Sequence, residues 1–327
     1  MDKLYRYAEL LSLGIALEVS AYPKIGNVHR YRWFFDTLYE DFLIASSTSV
    51  HYLYIGIVRG YRDRLREMKK VFGDIVFNIV RDSIDISGGG NTCLGSSLLL
   101  SPISVAIGSM AREGSIDIDM VGYRARDIVR DFGKPLDTVY IYRAIRIAKP
   151  SYIRAEDITG ELPNVWDNRY RRKIIEQSIA PWTILEYSSR NDIVAREIIE
   201  GFPRSLELSK HIDRRLETHN DWNRAIVETY LYQLSRELDT LIIRKKGLEI
   251  AEKVMNIAKE LYSICIDRWS QCLEKLYRID EEFHRNGINP GSTADIIVSS
   301  IALYILKKKK RILRSNNKIF YSISKLE

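Results

Sequence analysis

From residue 86 to residue 111 the chain carries no charged side chain, and this stretch restricts the fold more than any other. A run so long and apolar must leave water, either into a bilayer about 30 Å thick or into the interior of a sizeable protein. Its composition points to the interior. Gly88, Gly89 and Gly90 in succession, Asn91, Thr92, Pro102 and several serines interrupt it, and backbone freed at such points needs protein partners that lipid does not offer. The expectation is a helix, or a broken pair of helices, buried in protein, with no membrane association.

The flanking sequence reads as helix nearly throughout. Leu4, Ala8, Leu11, Ile15 and Val19 mark one face of a first helix that ends before Pro23. The longest amphipathic patterns cover 221–246 and 248–285, with Gly247 placed as a C-cap glycine. Residues 138–147, rich in Val, Ile and Tyr, come closest to a strand, yet Arg143, Ala144, Arg146 and Ala148 suit a helix. No stretch sustains strand alternation, so the expected fold class is all-α. Residues 149–168, with Pro150, Gly160 and Pro163, are the most irregular and form either a linker or a surface loop.

The 327 residues are 46% apolar, enough for a large core. Lys and Arg outnumber Asp and Glu by 50 to 43, a net charge of +7, which favours anionic partners such as nucleotides and phosphorylated small molecules. Cys265 and Cys272 fall seven apart inside one helical pattern, about 10 Å along its axis and beyond disulfide reach. Sparse, unpaired cysteine implies a cytoplasmic protein. The composition sets no oligomeric state.

Three polar, glycine-containing punctuations meet helix ends, where free N–H groups and the helix dipole attract phosphate. The first, Pro23-Lys24-Ile25-Gly26-Asn27, follows Glu18 and precedes His29 and Arg30, a carboxylate facing a cluster of bases. Just beyond, Asp36 and Glu40 share a spacing that places both on one helix face, with Asp41 well round from them. The second, Gly88-Gly89-Gly90-Asn91-Thr92, has the backbone freedom of an anion nest but no Walker lysine. The third, Asn289-Pro290-Gly291-Ser292-Thr293-Ala294-Asp295, caps a helix too apolar to be anything but buried. Asp239, among Leu238, Leu241 and Ile242, precedes Arg244 at a basic helix end. Because the punctuations come from both halves of the chain, one assembled site requires a single domain.

Together these segments resemble the triphosphoribosyl-dephospho-CoA synthase family over almost the whole chain. The resemblance rests on Glu18-Val19 with Pro23-Lys24-Ile25-Gly26-Asn27-Val28, on Asn91-Thr92 with Gly95, on Asp239-Thr240 with Arg244 and Gly247, and on Pro290-Gly291-Ser292-Thr293-Ala294-Asp295. It implies an all-helical transferase in which a ribose hydroxyl of dephospho-CoA attacks the anomeric carbon of ATP and expels adenine. By that resemblance Lys24, Asn27, His29, Arg30, Gly89, Gly90, Asn91, Thr92, Arg244, Gly291 and Ser292 serve the phosphates. Asp41, Asp239 and Asp295 serve catalysis, and with Glu18 they hold Mg²⁺. The chain departs from the family pattern at Ile25, where a proline is usual, and at Cys93-Leu94, where a His-Lys pair is usual. Those departures keep two alternatives open. One is a donor such as phosphoribosyl pyrophosphate; the other is a non-catalytic helical protein whose basic run at 307–311 engages RNA, which the single patch makes the weaker reading.

Overall fold

The computed structural model describes residues 3–150 and 162–308, and among these it is all-α, with fifteen helices and only two isolated β-bridges. The first eleven helices are α1 (Lys3–Ser20), α2 (Tyr39–Arg62), α3 (Gly73–Ser87), α4 (Leu94–Arg112), α5 (Ile118–Phe132), α6 (Pro135–Ala148), α7 (Tyr170–Glu176), α8 (Pro181–Ser188), α9 (Ile193–Glu200), α10 (Pro203–His219) and α11 (Trp222–Leu234). They are followed by α12 (Thr240–Lys246), α13 (Leu248–Asp267), α14 (Trp269–Arg285) and α15 (Gly291–Lys308).

The uncharged stretch becomes the Gly-rich loop and α4. By length and composition α4 could cross a membrane, yet 78% of its apolar window is already buried by protein. Its small residues explain how. Gly108 presses against the Ile57 carbonyl of α2, while Gly56 and Gly60 of α2 meet Ser104 and the Val105 carbonyl of α4, so a methyl group at any of these would clash with backbone or hydroxyl. The buried serines cost little because they return their protons to their own helix, as Ser101 does to Ser97 O at 2.7 Å and Ser104 to Ser101 O at 2.6 Å. On α1, Gly14 lies against Val298 of α15 in the same way. α1, α2, α4 and α15 thus make the centre of one continuous apolar core, with α10 on the outer side of α15.

Around this centre, buried carboxylates pin helix ends. Asp137 accepts the Val71, Phe72 and Gly73 N–H groups at 2.7–2.9 Å, closing the start of α3, and the Lys134 N–H at 2.9 Å, closing the start of α6. The segment at 138–147, expected to be helical despite its strand-like composition, is helical, inside α6.

Two long helices of the sequence reading are each divided. The pattern at 221–246 stops at Leu234 and restarts at Thr240, where Asp239 caps the new helix. The pattern at 248–285 breaks at Arg268, and the chain folds back. That reversal overturns the cysteine reading: Cys265 and Cys272 face each other across the elbow as a disulfide, with Cα atoms 4.9 Å apart. The pair at Asp36 and Glu40 is also not on one helix, since α2 begins only at Tyr39. Most of the irregular 149–168 segment, from 151 to 161, lies outside the described residues, as do 309–311 of the basic run. Of that run, Lys308 pairs with Asp213 at 2.7 Å.

Candidate active site

All three punctuations border one cavity of about 900 Å³. Asn27 comes from the first, Gly89 to Thr92 with Gly95 and Ser96 from the second, and Asn289, Gly291, Ser292 and Asp295 from the third. The loops are locked together: Gly90 N–H donates to Asp36 O at 2.6 Å, Asn27 Nδ2 to Asn289 Oδ1 at 3.2 Å, and Asn91 caps α4 by accepting the Leu94 N–H at 3.1 Å. The starts of α4 and α15 therefore both border the cavity, which places two positive helix-dipole ends at its edge. Part of the lining is apolar, with Ile84, Leu98, Ile141, Ile145, Leu185 and Val194.

Asp295 is the only one of the three expected catalytic carboxylates on the cavity wall. It lies over the first turn of α4, accepting the Ser96 hydroxyl at 2.5 Å and packing directly on Gly95, which has no room for a side chain. Burial pushes its carboxyl up to about 7, and the charges of Glu18 and Asp192 push the same way against the Ser96 hydrogen bonds.

The other two carboxylates are occupied elsewhere. Asp239 is buried and receives four hydrogen bonds, from Leu241 and Ile242 N–H at 2.9 and 3.0 Å and from the Thr293 N–H and hydroxyl at 2.7 and 2.8 Å. It ties the start of α12 to the start of α15 and leaves no lone pair for an ion or a hydroxyl. Asp41 sits behind the wall, accepting the Leu38 N–H at 2.8 Å and filling the space that a side chain at Gly89 would need.

Lys24, expected as a phosphate clamp, is fully buried, its ammonium held by the Glu18 carboxylate and by Glu18 O at 2.8 Å. His29 is turned inward as well, with Nε2 3.1 Å from Asp280. Arg30 does not line the cavity: its Nε donates to Ser20 O at 2.9 Å and its guanidinium lies over Tyr22. The bases of the first punctuation serve the fold because Asp280 and Glu18 draw them in. Arg244 does reach the cavity, paired there with Asp192 at 2.6 Å, and Lys245 stands beside it.

No group of three His, Cys, Asp or Glu side chains among the described residues could hold a metal ion, so Glu18, Asp41, Asp239 and Asp295 do not make the expected Mg²⁺ cage. Sequence reasoning gave no site role to Asp192, Lys245 and Ser96 on the cavity wall, and held Asn289 only as part of the third punctuation. For Asp192 a signal existed, since an aspartate just before Ile193, Val194 and Ala195 marks a helix start, and Asp192 caps α9.

The profile of one family, CitG (ATP:dephospho-CoA triphosphoribosyl transferase), matches residues 4–313. The chain belongs to this family. A member of the CitG family is a transferase, and ATP is the substrate named in the family's own description. Among solved structures, a candidate triphosphoribosyl-dephospho-CoA synthase from Archaeoglobus fulgidus aligns over 78% of this chain and 96% of its own. Its TM-score of 0.56 at 24% identity speaks to a shared fold. No curated protein matches this CitG member.

Proposed function

We propose that the protein transfers the triphosphoribosyl group of ATP to a ribose hydroxyl of dephospho-CoA and releases adenine. The hydroxyl oxygen bonds to the anomeric carbon as the bond to adenine breaks, and that electron pair leaves on the purine, which takes up a proton. The hydroxyl proton passes to Asp295, whose carboxyl changes protonation near neutral pH, where a general base works best. That single placement, a titrating carboxyl on a cavity edged by two helix N-termini, carries the reading.

In this reading the triphosphate lies along Gly89, Gly90, Asn91 and Thr92, with Gly291 and Ser292 at the positive start of α15 and Arg244 and Lys245 supplying positive charge. The apolar wall takes the uncharged parts of the two substrates, purine and pantetheine. Mg²⁺ belongs here as a companion of the triphosphate, held mainly by phosphate oxygens as this ion usually is, and no step depends on a protein cage for it. Both substrates are consistent with a cytoplasmic protein that has no call on nucleic acid or membrane. Family membership favours ATP over phosphoribosyl pyrophosphate and over an RNA-binding role.

Incubating the pure protein with ATP, dephospho-CoA and Mg²⁺ tests this by chromatography of released adenine. Adenine that appears only when dephospho-CoA is present is the expected result. Pyrophosphate released from phosphoribosyl pyrophosphate, with no adenine from ATP, would sink it.

A further inference from the structure

Lys24 occupies an unusual place relative to the cavity. It does not line the cavity, yet both polar side chains it touches do: its ammonium donates to the Glu18 carboxylate and, at 3.4 Å, to Asn27 Oδ1. The Glu18 carbonyl at 2.8 Å completes the set, and the Tyr230 ring lies 6.0 Å away, its hydroxyl bonded to Ile25 O at 3.1 Å. The lysine is 0% exposed and Glu18 2%. A fully buried ammonium so enclosed has no path to a triphosphate, whereas its partners face the space where the sugar must lie.

We infer that Lys24 is a positioning residue, acting through Glu18 and Asn27 to fix the cavity wall around the reacting ribose, and that it is not a triphosphate ligand. This rests on the transferase reading above and deepens it. As the anomeric carbon loses adenine it becomes cationic, and a carboxylate held at one fixed place stabilises that charge without reorganising. Burial raises the Glu18 carboxyl above its ordinary value, and the Lys24 charge and hydrogen bond work against that rise. Without the lysine, Glu18 is free to take a proton or to turn, and Asn27 loses the donor to its Oδ1 and is held only through its Nδ2 bond to Asn289.

The test uses Lys24→Met, Glu18→Gln and the double variant, with adenine release and calorimetric ATP binding measured on each. Positioning predicts that Lys24→Met lowers kcat about tenfold to a hundredfold, the range typical for residues supporting a catalytic group, while the Kd for ATP changes less than threefold. It further predicts that Lys24→Met has no added effect on kcat once Glu18 is Gln. A tenfold or larger rise in ATP Kd, in the single or double variant, would overturn the inference in favour of a phosphate clamp. Unchanged kcat in folded Lys24→Met, with only a lower melting temperature, would overturn it in favour of a purely structural pair.

Should the single variant fail to fold because an unpaired Glu18 is left buried, the uncharged double variant answers the question. Retained ATP affinity supports positioning there, and lost affinity overturns it. If the native protein binds ATP but releases no adenine, the transferase reading fails by itself and the ATP affinities still decide about Lys24. No ATP binding by the native protein overturns both.

Discussion

Asp295 and Arg244 show how single residues divide the work of the cavity. With its carboxyl pushed up to about 7, Asp295 is protonated in acid and ionised in base. A base must be ionised to act, so kcat/KM is expected to climb about tenfold per pH unit below about pH 7 and to level off above it. Asp295→Asn removes that limb and lowers kcat by about 10²–10⁴-fold, read from adenine release across pH. The same shift has a sign for stability. The folded carboxyl holds its proton more tightly than the unfolded one, so stability falls as pH rises from about 4 to about 7. Asp295→Asn should therefore unfold at higher temperature than the native protein above pH 7, while being nearly inactive. Arg244→Ala is expected to raise the KM for ATP about tenfold to a hundredfold with a smaller change in kcat, the loss of one charge-assisted contact; a kcat defect at unchanged KM would refute that assignment.

Helices reveal which parts of the fold were legible. Apolar spacing announced α1, and the uncharged stretch announced the burial of α4, because both are one-dimensional records of what meets the core. The close approach of α2 and α4 was written in Gly56, Gly60 and Gly108 but readable only with a partner in view. Replacing Gly108 with Ala sets a methyl group against the Ile57 backbone and should cost about 2 kcal/mol in urea unfolding, by overpacking. The breaks at 235–239 and at Arg268 escaped notice because amphipathic periodicity continues across them. Neither has a proline or glycine; at the first, only a capping aspartate betrays the restart, and it was read as a catalytic acid. Asp239 thus shows why buried acids mislead: an apolar neighbourhood predicts a partner, but four backbone and hydroxyl donors satisfy it as well as a metal does.

Across the whole molecule, Asp280 joins regions far apart in sequence. It accepts the Gly26 N–H at 2.9 Å, fixing the first punctuation, and faces His29 and His284, each at 3.1 Å. Although burial opposes its charge, hydrogen bonds from the two histidines hold the carboxyl down to about 2. A depressed carboxyl lends stability above its unfolded value near 4 and loses it as pH falls towards 2. Asp280→Asn is expected to cost about 2 kcal/mol at neutral pH and to remove this acid-sensitive part of the unfolding curve, followed by circular dichroism. Beyond His284 four residues on, no local pattern marks Asp280, since Gly26 and His29 lie some 250 positions away. The assembled cavity was legible because glycine and helix caps betray loop geometry wherever they occur. The fate of Lys24 and His29 was not, because a basic residue beside a turn gives no local sign of the buried acid that will claim it.

The chain has three cysteines, two of them joined at the elbow of α13 and α14, so native Cys93 is the single free thiol. It is buried, with burial holding the thiol above its ordinary acidity range, immediately after Thr92 of the Gly-rich loop. A thiol reagent added to the untouched protein therefore has one address, and its rate of labelling is a stopwatch on how often that loop opens, with ATP in place or without it.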